Sequence, residues 1–474
     1  FLCDCSPSEI AAELHRDCNG LRVDWSRGLY RYIETLTGKS IKSWKDIVIL
    51  LAEYRSHTPV DIPKLMISTT SLGKIDCCEA VDASVFYGRE TELTTLKQWM
   101  VEERCRVVAV RGMAGMGKTK LVSKLIPSLQ TEFDYIIWRN LSHAPPLIQV
   151  LADLIEFLSD KQDKKLENWR VINQSIKMLT QSFISAREKS RINSGDQNLP
   201  FFHHQIQPQL IAEGIRELIK CLQQHRCLII LDGWEALFQP QTFAGKYRPG
   251  YEGYGQFLKQ IGKLNHQSCL LLTTTEVPKT VTYLSDVQAT VRTLTLGSLG
   301  QSASRLLQKR GLLNEVKYSD LIKKYNGNPQ ALQIVSKTIN QIFGNRVDEF
   351  LARNSQLFLG DFRERIAEQF NRLSTVEKQT LLTLATVETP ISLKNLTNEF
   401  KSDSTVELMK ALESLERRSL ISMIQGLQDT FYQPCPLIQA YIHKNLNQKK
   451  LNDLLLPHNS NVIIAEEVAI AKVQ

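Results

Sequence analysis

Apolar positions along this chain recur with three different rhythms. From Ser8 onward they fall at helical spacing: Ile10, Ala11 and Leu14 share one face, and Leu29, Ile33 and Leu36 share another. Helical spacing resumes at Ser43-Trp44-Lys45-Asp46, which resembles a capping box opening a third helix with Trp44, Ile47 and Leu51 inward. These short helices predict a helix-turn-helix-like module over residues 1–58. Between Pro59 and Val81 the rhythm lapses into Pro, Ser, Thr and Gly, so residues 59–82 are expected to be a linker.

The second rhythm alternates short aliphatic runs with helical patterns, as a parallel sheet flanked by helices requires. Its clearest strands are Arg106–Val110, Tyr135–Trp138, Cys227–Leu231 and Cys269–Thr273, which place an α/β domain over 83–296. Residues from Asp160 to Pro200 are polar, and Ser194–Asn198 reads as an exposed loop. After about Leu296 the strand signals stop, and a helical stretch runs to about Phe358, a subdomain over 297–358. Then Ser374-Thr375-Val376-Glu377 caps a helix bearing Leu381, Leu384 and Ala385, and Val406–Arg418 presents Leu408, Leu412 and Leu415. Leu420–Ile424 and Thr430–Gln433, parted by a turn at Gly426, complete a winged-helix pattern over 359–446. Residues 447–474 form a tail whose apolar end is expected to be the stub of a linker. The whole is expected to be multidomain, α/β plus α.

Composition adds limits. With 474 residues, 43% hydrophobic and 23% charged, the chain resembles ordinary soluble proteins. No apolar run suits a membrane span and Phe1 opens no signal peptide, so a cytoplasmic location without membrane attachment is expected. A first residue other than Met suggests a trimmed product with chain missing upstream. The ten cysteines are scattered, Cys227 and Cys269 within apolar runs, which fits reduced buried thiols. Neither Cys3 and Cys5 nor the adjacent Cys77 and Cys78 has a second ligand pair at zinc spacing. The net charge of +8 is spread along the chain, permitting nucleic acid without indicating it. Arg22, Arg27 and Arg31 would meet DNA phosphates or a protein partner, or else form a solvated helix face.

The chemistry concentrates where Arg106–Val110 runs into Gly112-Met113-Ala114-Gly115-Met116-Gly117-Lys118-Thr119, with Lys120 and a helical pattern behind it. In this P-loop, glycines let successive backbone N–H groups turn toward an anion, and the following helix adds its positive end. Lys118 is expected to reach the β- and γ-phosphates of ATP or ADP, and Thr119 to complete a Mg²⁺ shell. The strand Leu228-Ile229-Ile230-Leu231-Asp232 supplies the second metal-holding group in Asp232. Glu235 either polarises an attacking water or is an exposed loop acid.

These motifs, in this order, resemble the NB-ARC proteins of the STAND class of signalling NTPases. Phe86-Tyr87-Gly88-Arg89-Glu90 looks like the family's N-terminal motif, which packs near adenine and ribose, and implies roles for Phe86, Gly88 and Arg89. Gly327-Asn328-Pro329 is similar to the G-x-P motif whose proline contacts adenine, which implies that role for Pro329. The resemblance covers roughly residues 84–445. Gly250–Gly255 and His266–Cys269 look especially like bacterial, cyanobacterial-type members, which often carry C-terminal WD repeats.

Three departures bear on mechanism. Thr273-Thr274-Thr275-Glu276 lacks the arginine that relatives use to sense the γ-phosphate, Asp232 is followed by Gly233 rather than a second acid, and Tyr432-Gln433-Pro434 stands where many relatives carry M-H-D. The resemblance therefore implies a nucleotide-controlled signalling switch that self-associates with ATP, acts on an unidentified protein effector and hydrolyses slowly or not at all. The alternatives are an ATP-controlled transcription regulator, with DNA bound by the N-terminal module, and a productive ATPase.

Overall fold

The computed structural model describes residues 74–158, 208–353, 360–387, 389–399, 405–426 and 429–445, all within one compact unit, Leu72–Gln474. The expected N-terminal module with Arg22, Arg27, Arg31 and the Ser43 cap, the Cys3 and Cys5 pair, the Ser194–Asn198 loop and the tail lie outside these residues.

Six parallel strands form the central sheet: β1 (Lys74–Asp76), β2 (Val107–Arg111), β3 (Tyr135–Asn140), β4 (Cys227–Asp232), β5 (Cys269–Thr274) and β6 (Val291–Thr295). Their spatial order is β1-β3-β4-β5-β2-β6. The inner strands are near-continuous aliphatic runs because both faces are covered, as parallel sheets demand. Val108, Val110, Leu228, Ile230 and Leu271 pack into the apolar cluster on one face. Their neighbours Val107, Ala109, Ile229, Leu270 and Leu272 pack into the cluster on the other. At about 1.5–3 kcal/mol for each such side chain buried, this alternation sets the register.

The helices of the sheet are α1 (Glu90–Lys97), α2 (Lys118–Leu125), α3 (Leu147–Leu158), α4 (Pro208–Gln224), α5 (Gly253–Lys263) and α6 (Lys279–Val287). Two strands differ from expectation. β1 lies inside the segment read as a linker, and β6 lies just before Leu296. Both are edge strands with little burial, only Val291 of β6 being buried, so neither carries the apolar signature of the inner strands.

Four helices follow: α7 (Ser302–Lys309), α8 (Tyr318–Lys324), α9 (Pro329–Ile342) and α10 (Val347–Ala352). Next come α11 (Gly360–Asn371), α12 (Thr375–Thr386), α13 (Leu393–Glu399), α14 (Thr405–Arg417) and α15 (Pro436–Asn445). With them runs a small antiparallel sheet, β7 (Ile391–Ser392), β8 (Ile421–Gln425) and β9 (Thr430–Pro434), in the order β7-β9-β8. The capping box at Ser374 is present in full: the Glu377 N–H donates to Ser374 Oγ, and the Ser374 N–H donates to Glu377 Oε2 at 2.8 Å. One apolar cluster runs from the sheet through Leu306, Leu332 and Phe350 to Leu381, Leu415 and Ile438. The later helices are thus packed as a continuation of one face of the sheet.

Candidate functional site

Register places the C-terminal ends of β2, β4 and β5 level with one another. Val110 pairs with Thr273 and Arg111 with Thr274, while Leu231 faces Leu272. At this edge Gly112 leads into the loop, Gly117 closes it with φ +88° and open space where a Cβ would stand, and α2 begins at Lys118. The first N–H groups of α2, including those of Thr119 and Lys120, lack intrahelical acceptors and point their partial charge at the loop.

Lys118 is buried, and its ammonium donates to two peptide carbonyls, Gly112 O at 2.8 Å and Met113 O at 3.2 Å. Among the described residues it forms no ion pair. Burial lowers its pKa; Glu235 and Asp232 pull it back up, and Arg365 adds to the lowering. A buried cation held only by carbonyls is costly in isolation, and a phosphate is the counter-ion that fits this cradle.

Opposite the loop, Asp232 Oδ1 accepts from Thr119 Oγ1 at 2.9 Å and from Thr273 Oγ1. Burial raises the Asp232 pKa while these two hydroxyls lower it. β5 lies between the loop strand and β4, which is why Thr273 reaches Asp232 and also accepts the Gly233 N–H at 3.2 Å. A hydroxyl and a carboxylate in contact form the hard-oxygen donor set that Mg²⁺ takes alongside a phosphate. Glu235 sits in a short 3₁₀ turn, Trp234–Leu237, and its Oε2 accepts the Thr275 N–H at 3.2 Å.

Residues far along the chain wall the loop. Asn328 caps α9, accepting from the Gln330 and Ala331 N–H groups, and its Nδ2 donates to Ala114 O at 2.9 Å. The Gln330 N–H donates to Gly115 O at 3.3 Å. Gly115 has φ +79°, and a Cβ there would come within 2.8 Å of Asn328 Oδ1, so the approach requires glycine. From α11, Gln369 Oε1 accepts the Ala114 N–H at 3.4 Å, and Cys435 Sγ lies 3.6 Å from the sulfur of Met113. Met113 and Met116 are buried in the same cluster as these walls. Pro329 occupies the first turn of α9, immediately after Asn328.

The Phe86–Glu90 motif lies elsewhere on the rim. Phe86 is partly buried against the core, and a Cβ on Gly88 would meet Ser302 Cβ at 2.5 Å. The Arg89 guanidinium donates to Gly297 O and Ser298 O and pairs with Glu92 at 2.7 Å. Its side chain therefore fastens the connection between β6 and α7.

Just beyond β5 lies a second group of buried charges. Glu276 pairs with Arg418 at 2.6 Å and lies 3.6 Å from Arg372. Arg418 Nε also pairs with Glu377 at 2.9 Å, and Glu377 accepts from Ser414 Oγ at 2.6 Å. Arg417 donates to the carbonyls of Ala244 and Val277. Sequence reading missed these residues, together with Thr273, Asn328, Gln369 and Cys435. Asn328, as a cap ahead of a helical proline, and Glu377, within the Ser374 capping box, carried a local signal, though not for these contacts.

Among the described residues no helix is long and apolar enough to cross a membrane, and no group of three His, Cys, Asp or Glu could hold a metal by itself. Cys227 and Cys269 are buried free thiols, and burial pushes Cys227 up to about 12, as inert core thiols require.

Parallel sheet, glycine loop and half-buried strand-end aspartate define a P-loop NTPase domain. The AAA ATPase domain family matches residues 85–242. An uncharacterized WD repeat-containing protein of Nostoc sp. is 35% identical over 393 residues, which cover 80% of this chain and 28% of that protein. The chain thus spans less than a third of that relative's length. Two solved structures are similar: a Signal Transduction ATPase with Numerous Domains protein with a tetratricopeptide repeat sensor from Pyrococcus horikoshii, and the Walker-type ATPase of Pyrococcus abyssi. The first is 18% identical at a TM-score of 0.34, covering 78% of this chain and 44% of that one. The second is 13% identical at a TM-score of 0.43, covering 76% and 96%.

Proposed function

We propose that this chain is an ATP/ADP-binding signal-transduction switch, in which nucleotide state controls domain opening and self-association and hydrolysis is slow or absent. The observation that carries this reading is the wall of the phosphate loop: Asn328, Gln369 and Cys435, from three later segments, all touch Met113 or Ala114. A ligand in the loop is then in a position to favour one arrangement of those segments over another, and such differential affinity is all a switch needs.

In this reading Lys118 holds the β- and γ-phosphates, the N–H groups from Met113 to Lys120 line them, and Thr119 with Asp232 holds Mg²⁺, which would neutralise phosphate charge when bound. Pro329 and Phe86 border the base, with Gly88 and Arg89 contributing backbone, since the Arg89 side chain is engaged with Gly297 and Ser298. Slow turnover follows from three groups. Thr275 brings no guanidinium to the developing charge, Gly233 brings no second acid, and Glu235 is tied to the Thr275 N–H rather than free to orient water. The helices and small sheet after α10 serve as a winged-helix packing domain. The DNA-binding alternative rests on residues 1–58, outside the described ones.

The test is to denature the purified chain, identify the released nucleotide by mass spectrometry, and record small-angle scattering of the folded chain with ADP and with a non-hydrolysable ATP analogue. ADP is expected in the released fraction, with a larger radius of gyration in the analogue. Identical scattering in both states sinks the switch, and Lys118-dependent phosphate release above roughly one per second sinks slow turnover.

A further inference from the structure

Thr273, Thr274 and Thr275 follow one another where β5 ends, and they are engaged in three different ways. Thr274 Oγ1 donates to Glu276 O at 2.7 Å and accepts the Glu276 N–H at 3.1 Å, closing a local turn. Thr275 meets Glu235 through its backbone N–H. Of the three, it is the Thr273 hydroxyl that reaches the metal-holding aspartate, from a side chain only 1% exposed. Its pairing with Val110 sets it level with the start of the phosphate loop.

The hydrogen-bond roles at this hydroxyl are fixed by its neighbours. The Gly233 N–H donates to Thr273 Oγ1 at 3.2 Å, and a hydroxyl that accepts from an amide turns its own proton elsewhere. That proton goes to Asp232 Oδ1, which also takes the Thr119 hydroxyl at 2.9 Å. A carboxylate oxygen offers about two lone-pair sites, so Oδ1 is filled. Oδ2 accepts no hydrogen bond among the described residues, and Asp232 is only half-buried. One oxygen is committed to the fold and the other is left for a ligand. A β-branched side chain in a strand has little freedom about χ1, so threonine holds this orientation more firmly than serine would.

We propose that Thr273 is the positioning residue of the metal site: it fixes Asp232 through Oδ1 and so reserves Oδ2 for the shell of the Mg²⁺ bound with nucleotide. This rests on the nucleotide-site reading above. Thr119, its proton given to Oδ1, keeps lone pairs for the metal, whereas Thr273 acts through Asp232 alone.

The test follows binding of a fluorescent, non-hydrolysable ATP analogue to the full chain, first in EDTA and then across a Mg²⁺ titration, with melting temperatures of the nucleotide-free proteins. Thr273→Val keeps the shape and removes the hydroxyl. The Mg²⁺ concentration at half-effect is expected to rise about ten- to a hundredfold, while affinity in EDTA stays within about twofold. Thr273→Ala should do the same, and carries the reading if the valine variant does not fold. Thr273→Ser should recover most of the loss. Thr274→Val, which removes the neighbouring buried hydroxyl, should lower the melting temperature and leave the Mg²⁺ midpoint unchanged, so that a loss of support alone is told apart from a loss of positioning. A wild-type midpoint in Thr273→Val or Thr273→Ala, with binding lost in Lys118→Ala, overturns the assignment and leaves the nucleotide site standing. So does a wild-type chain that binds the analogue equally well with and without Mg²⁺. A wild-type chain that binds no analogue overturns both.

Discussion

At the end of β5, Glu276 is almost wholly buried and meets Arg418 at 2.6 Å, while Arg418 turns its Nε to Glu377. In the phosphate loop, Lys118 is also buried and, among the described residues, donates to the carbonyls of Gly112 and Met113 and forms no ion pair. Both sites take charge out of water, which costs several kcal/mol per ion unless a partner compensates. In the first the chain itself provides the partner; in the second, among the described residues, peptide carbonyls take that place. The contrast separates a charge fixed by the fold from a charge suited to an anionic ligand. Glu276 follows Thr274 and Thr275 at the tip of the strand whose Thr273 touches Asp232, so the two sites are built on one strand.

Removing one member from each site breaks the comparison most directly. Arg418→Ala strands the carboxylates of Glu276 and Glu377, and a loss of about 3–5 kcal/mol is expected in urea unfolding. A loss below about 1 kcal/mol would show that water already screens the cluster.

Lys118→Ala should do the reverse. Without nucleotide its stability is expected to change by less than about 1 kcal/mol, since no ion pair is broken. With ADP it should forfeit the ligand's stabilisation, about 2.7 kcal/mol at a hundredfold excess over Kd for the wild type. The same lysine makes binding pH-dependent. Burial depresses its pKa in the free protein and phosphate raises it, so between the two values ADP binding takes up a proton and weakens as pH rises. Calorimetry at alkaline pH in buffers of different ionisation enthalpy should register that uptake in the wild type and not in Lys118→Ala.

The smallest effect is expected at the rim. Pro329→Ala should weaken ADP by about 1 kcal/mol through lost apolar contact with the base, and destabilise α9 by a few tenths. Unchanged ADP affinity in a titration would remove the adenine-contact role from Pro329.

What could be read in the sequence was whatever is contiguous. Gly112–Thr119 is a single run whose residue types dictate its backbone, and Leu228–Asp232 is a single buried strand, so both were legible. The cap at Ser374 was legible too, but only its local half. Glu377 also holds Arg418 and Ser414, some forty residues away, and nothing near Glu377 announces them. Thr273 reads as an ordinary strand residue until the strand order sets β5 beside β4. Gln369 shows only a polar helix position until α11 is laid across the loop. The strands Lys74–Asp76 and Val291–Thr295 escaped because an edge strand need not be apolar.

The contact between Met113 and Cys435 joins residues 322 positions apart. On a ribosome adding roughly 5–20 residues per second, that separation amounts to about 15–65 s. For that interval the wall of the phosphate loop is incomplete in a newborn chain, Asn328 and Gln369 emerging ahead of Cys435.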